Sequence, residues 1–173
     1  MRTLARASVL VGIVVVALFS ATTAQAHNWG SWHWNRYGSS VTIAAYTTGS
    51  QATASRQAAS DWSNNTILYI PQYGSHTDMS VFDGNYGATG WGGLASIESA
   101  SGSHILHGHA RVNMYYGYGY NDVVGIQCQE VGHLFGLDHS NDGCMGKGYY
   151  NSLNYTVSHN WNDIYNKYRY THH

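Results

Sequence analysis

Charge is scarce in this sequence. Charged residues fill 10% of its 173 positions, against about 25% in ordinary soluble domains. That excludes a charge-driven disordered chain and an acidic or basic tail. Lys and Arg number 8 against 9 Asp and Glu, so the chain lacks the cationic footprint of a nucleic-acid binder. Cysteine is scarcer still. Cys128 and Cys144 are the two present, too few for a disulfide-scaffold protein or a four-cysteine zinc site. One proline, Pro71, stands beside 20 glycines, 15 tyrosines and 6 tryptophans, a composition of strands, turns and polar loops. The length suits one domain at about 100–200 residues each. Glutamate occurs at Glu98 and Glu130 alone, so the place of each is informative.

The one long apolar run is Val9–Phe19, preceded by Arg2 and Arg6 and followed by Ala24-Gln25-Ala26. A basic start, an apolar centre and an A-x-A ending read as a secretory signal over residues 1–26. The run is short for a membrane span, which needs about 20 apolar residues. Cleavage leaves residues 27–173 as the working domain, with six basic residues against nine acidic. The expectation is a secreted protein, monomeric, bound neither to membrane after cleavage nor to nucleic acid. Such a compartment allows Cys128 and Cys144 to pair; two free buried thiols are the other reading.

Along the mature chain, His27–Asn35 is an aromatic arm carrying Trp29, Trp32 and Trp34. It reads as packing across the domain, with stacking on sugar rings as the less favoured reading. Val41–Tyr46, Thr66–Ile70, Asp78–Phe82, Gly92–Ile97 and Ile105–Met114 have strand composition or alternation. Gln51–Ser63 carries Ala54, Ala58, Ala59 and Trp62 on one helical stripe. Asn121–Phe135 does the same with Val124, Cys128, Val131 and Phe135, capped by Asn121 and stopped by Gly136. Ser158–Tyr168 predicts a terminal helix capped by Ser158. The fold class is α/β (α+β): one domain, a twisted, mixed, mostly parallel sheet of about five strands, an active-site helix and a C-terminal helix.

The chemistry concentrates in Gln129-Glu130-Val131-Gly132-His133-Leu134-Phe135-Gly136-Leu137-Asp138-His139. Positions 129 and 133 are neighbours one turn apart on a helix. Glu130 projects from nearly the same face. Gly136 lets the chain turn sharply out of the helix, so His139 can swing back to the same point. Gly125, Gly132 and Gly136 keep the region uncrowded. Two or three donors thus converge on one ion with a carboxylate beside them.

This stretch resembles the metzincin zinc-protease signature H-E-x-x-H-x-x-G-x-x-H, with Gln129 where the first histidine belongs. Gly136-Leu137-Asp138-His139-Ser140 is similar to the matrixin subgroup, and Met145 stands where the Met-turn would be. The resemblance implies a metal site of Gln129, His133 and His139 holding one catalytic zinc, with Glu130 as general base in peptide hydrolysis. It implies an extended peptide or protein substrate along the Gly92–Ser96 edge, Met145 as support beneath the ion, and Tyr149 or Tyr150 as an oxyanion donor, each of which also reads as a surface aromatic. A glutamine oxygen is a harder, weaker donor than imidazole, which leaves three outcomes: a weaker zinc site, another ligand or metal, or none. With none, the chain is a weak or inactive module of the same fold that binds peptide or cell-wall polymer. The run His76-Thr77-Asp78…Phe82-Asp83-Gly84 echoes a structural-metal loop of matrixins, but no structural metal is expected. His104, His107 and His109 could add ligands or simply share a solvated face.

Overall fold

A computed structural model describes residues 29–75, 77–147 and 153–169. The aligned strands are β1 (Val41–Thr42), β2 (Ala45–Thr48), β3 (Leu68–Tyr69), β4 (Gln72–Tyr73), β5 (Met79–Gly84), β6 (Gly93–Ser101) and β7 (His104–Asn113). The helices are α1 (Ala52–Asp61), α2 (Tyr120–Leu134) and α3 (Ser158–Tyr168). Five strands form one sheet in the order β4-β2-β5-β7-β6, and β1 pairs with β3 beside it. All pairings are parallel except β6 with β7. The fold is therefore the expected mixed, mostly parallel α/β arrangement, with β6 at a sheet edge. Among the described residues, no helix is long and apolar enough to cross a membrane.

Both predicted helical stripes face the core. Ala54, Ala58, Ala59 and Trp62 are buried, as are Val124, Cys128, Val131 and Phe135. Small side chains on α1 let it lie close to α2, and the Trp62 indole N–H donates to the Cys128 carbonyl at 2.9 Å. A disulfide joins Cys128 of α2 to Cys144, on a short 3-10 turn at Gly143–Met145. This is the pairing expected from the sequence.

Three local expectations need correction. The strand expected over Val41–Tyr46 is two short strands, because the Asp78 carboxylate takes the Ala44 N–H at 2.7 Å between them. Helix α2 starts at Tyr120, one residue before the expected cap Asn121; Asp122 caps it instead, accepting from the Gly119 N–H at 2.9 Å. Ser158 lies inside α3, where Asn160 accepts from the Val157 N–H at 3.1 Å. In both helices a side chain in the first turn, reaching back, satisfies the donor that a preceding cap would otherwise leave unmet.

The tightest contact between α2 and the rest of the domain is at Gly132. A Cβ there would meet the Met145 thioether sulfur and lie 2.7 Å from Trp62 Cζ2. Both neighbours are fully buried. Gly132→Ala should destabilise the protein by about 1–3 kcal/mol through overpacking, despite the better helix propensity of alanine. Urea denaturation of the variant measures this; an unchanged midpoint would show that Met145 moves aside at no cost.

Candidate active site

Helix α2 and strand β6 form the two walls of a cleft of about 470 Å³, with Gln129, Glu130, His133 and His139 among its lining residues. The helix supplies the first three. His139 returns because Gly136 adopts a positive φ of 78°. The Gly136 N–H closes on the His133 carbonyl at 2.8 Å and the Leu137 N–H on the Gly132 carbonyl at 3.2 Å. The close approach of the Trp32 carbonyl leaves no room for a Cβ at Gly136. The His133 and His139 rings meet edge to face, 4.7 Å between centroids.

The orientation of each donor is set from outside. The His133 Nδ1–H donates to the Leu137 carbonyl at 2.8 Å, which turns its Nε2 lone pair outward. His139 Nδ1 lies 3.5 Å from an Asp138 carboxylate oxygen. The His133 imidazole thus has a hydrogen-bond acceptor behind Nδ1, the usual support of a metal-ligating histidine. Burial lowers the pKa of His133; the Leu137 hydrogen bond raises it, His139 lowers it and Asp138 raises it. The net effect favours the neutral, ligating form. The Gln129 amide donates through Nε2 to the Gly146 carbonyl at 2.9 Å, so its oxygen is the half it can offer a cation. Among the described residues, no group of three His, Cys, Asp or Glu side chains could hold a metal. By donor type, His133, His139 and Gln129 offer two nitrogens and one weaker oxygen.

Glu130 is buried, and burial raises its pKa to about 7, opposed by a hydrogen bond from the Ala95 main chain. Its carboxylate occupies the space that a side chain at Gly93 would fill. Gly93 opens β6, so the absence of a Cβ there is what lets the carboxylate reach the cleft. The raised value has a consequence for the metal-free protein. A carboxyl whose folded pKa lies above its unfolded one contributes stability at low pH and loses it as pH rises toward the folded value. From an ordinary 4.5 to about 7, that loss is on the order of 3 kcal/mol. Chelator-treated wild type should therefore be less stable at about pH 8 than at pH 5, and Glu130→Gln should flatten that slope. Denaturant titrations at the two pH values decide it; equal slopes would remove the buried carboxyl as their cause.

Met145 is buried under α2, against Gly132. Its carbonyl accepts from the Ser140 N–H at 2.7 Å, so the turn carrying it is tied both to the segment after His139 and, by the disulfide, to α2. Tyr149 and Tyr150, the expected oxyanion donors, lie outside the described residues, as do His27, His76 and the signal segment 1–26.

Other candidates lie elsewhere. His107 and His109 stand on the face of β7 away from α2, since the intervening Gly108 packs against Leu134 of that helix. There His107 contacts the Thr77 carbonyl, and His109 lies 3.2 Å from Glu98, which also pairs with Arg111. His104 meets His33 of the N-terminal arm edge to face. Asp83, in the run that echoes a metal loop, accepts the Ser50 and Gln51 N–H groups at the start of α1. Trp34 is buried, with its indole N–H on the Leu134 carbonyl.

Three residues enter the cleft that spacing did not single out: Trp29, Trp91 and Tyr118. Trp29 is clipped to the turn between the histidines, its N–H donating to the Gly136 carbonyl at 2.8 Å. Its ring lies 5.6 Å from that of His133. The Tyr118 hydroxyl sits over Gly92, where a Cβ would collide with it. The pair Gly92-Gly93 at the head of an edge strand was the available signal.

No protein-family model and no curated protein matches the chain. Among solved structures, that of myroilysin is similar over 67% of this chain, at 16% identity and a TM-score of 0.48. The chain spans 56% of that structure's length.

Proposed function

We propose that this chain is a secreted, monomeric metalloendopeptidase that holds one zinc ion on Gln129, His133 and His139 and hydrolyses peptide bonds. The observation that carries the reading is the meeting of buried Glu130 with His133 and His139 in one cleft, His133 turned outward by its Nδ1–H bond to the Leu137 carbonyl. When bound, zinc supplies Lewis acidity, activating water and polarising the scissile carbonyl. Glu130 takes the proton of the attacking water and delivers it to the leaving amine. The substrate main chain lies along Gly92–Ser96, because β6 is paired on one side alone in the sheet and adds a strand on the other.

One observation favours a second reading, a non-catalytic module binding peptide or wall polymer: the third donor is the neutral amide oxygen of Gln129, a weaker zinc ligand than an imidazole. Elemental analysis with a peptide-library digest, on wild type, Glu130→Gln and Gln129→His, separates the two. Zinc bound and peptides cut by wild type support the peptidase. A metal-free, inert wild type rejects it.

A further inference from the structure

We propose that the loops 85–92 and 114–120 form a rigid aromatic platform that binds a neutral, β-linked polysaccharide chain. The platform stands on its own residues and does not depend on the peptidase reading. Tyr86, Tyr115 and Tyr116 are exposed, by 39%, 51% and 41%. The rings touch in a chain: Tyr86 meets Trp91 tilted at 5.1 Å, Tyr115 meets Tyr116 edge to face at 5.3 Å, and Tyr116 meets Tyr118 tilted at 6.1 Å. A cluster of exposed rings is costly to leave in water and marks a binding surface.

One buried side chain fixes both loops. Asn113, at the end of β7, accepts the Tyr86 and Tyr115 N–H groups through its oxygen at 3.0 and 3.1 Å. Its nitrogen donates to the Gly87 carbonyl at 2.9 Å and the Thr89 hydroxyl at 2.8 Å. The Gly90 N–H donates to the Tyr116 hydroxyl at 2.7 Å, joining one loop to the other. The rings are therefore held in place before any ligand arrives, which lowers the ordering cost of binding.

The same bonds narrow the ligand class. Main-chain donors at Tyr86, Gly90 and Tyr115 are spent inside the platform, so recognition by strand addition is not what these loops offer. What remains is ring faces edged with hydroxyls. Residues 84–93 and 114–121 contain no charged side chain, so nothing there selects a phosphate, a sulfate or a nucleic acid. A pyranose with equatorial substituents matches that surface: its C–H faces lie on aromatic rings and its hydroxyls exchange hydrogen bonds with tyrosine rims. Trp91 and Tyr118 also line the cleft, so the polymer would lie beside a peptide seated there.

The test is retention of the purified mature chain on insoluble chitin and cellulose, with titration by soluble chitohexaose and cellohexaose. Wild type should be retained by at least one polymer and eluted by the matching hexasaccharide but not by salt. Tyr86→Ala/Tyr115→Ala should weaken binding about tenfold or more, while Tyr37→Ala/Tyr73→Ala, which removes two exposed tyrosines elsewhere, should bind as wild type does. Glu130→Gln should bind unchanged, which keeps the result separate from any finding on hydrolysis. No retention on either polymer overturns the proposal, as does retention that the hexasaccharides do not compete. Equal retention of the Tyr86/Tyr115 variant and wild type overturns it too.

Discussion

Glu130→Gln protein should keep its zinc and lose about 10²–10⁴-fold of its peptide hydrolysis. Glutamine fills the same volume and can still accept the hydrogen bond from the Ala95 main chain, so the cleft is expected to survive the change. What disappears is the buried carboxylate assigned to take a proton from water and release it again. Glu130 is buried beside the histidines and not among the three donors assigned to the ion, so metal content is the internal control. Zinc stoichiometry by elemental analysis and initial rates on a quenched peptide, measured on the same sample, give the answer. A variant that loses metal together with activity would make Glu130 a ligand. One that keeps its activity would end its assignment as base.

Gln129→His should bind zinc about 10–100-fold more tightly than wild type. The side chain at 129 starts from the same helical face as His133, one turn away, so an imidazole there is aimed as the amide is. Two opposing terms set the size of the gain. A nitrogen donor replaces a harder amide oxygen, which favours zinc. The hydrogen bond from Gln129 to the Gly146 carbonyl is lost unless the imidazole Nδ1–H replaces it. Competition against a chromogenic chelator measures the difference. Weaker binding by the histidine variant would mean that the Gly146 contact, and not donor type, governs affinity at this position.

What the sequence disclosed was what repeats or is spaced. The stripes on α1 and α2 follow from helical period, and each named stripe residue is buried. The turn at Gly136 follows from the single residue type that enters positive φ freely. What it hid depends on residues distant in sequence meeting in space. Asp78 divides the first strand by taking a main-chain donor 34 positions away. Trp29 becomes a wall of the cleft through a bond to Gly136 that no local pattern announces. The helix caps were misplaced, Asn121 and Ser158 standing inside helices whose N-caps are Gly119 and Val157, because Asp122 and Asn160 in the first turn reach back to the cap N–H groups. Tyr118 reaches the cleft because Gly92, distant in sequence, leaves space for its hydroxyl.

The bond between the Trp29 N–H and the Gly136 carbonyl also dictates how the protein should be produced. Trp29 stands at the rim of the cleft, beside His133. Any peptide fused just upstream is therefore tethered within a few residues of the histidines, at about 3.3–3.6 Å of reach per residue. A histidine-rich purification handle placed there would compete for the ion proposed for this cleft and lie at its mouth. An uncleaved leader would crowd the same mouth. Metal content and rates measured on amino-terminally tagged material would report on the handle as much as on the protein, so the affinity sequence belongs at the other end of the chain.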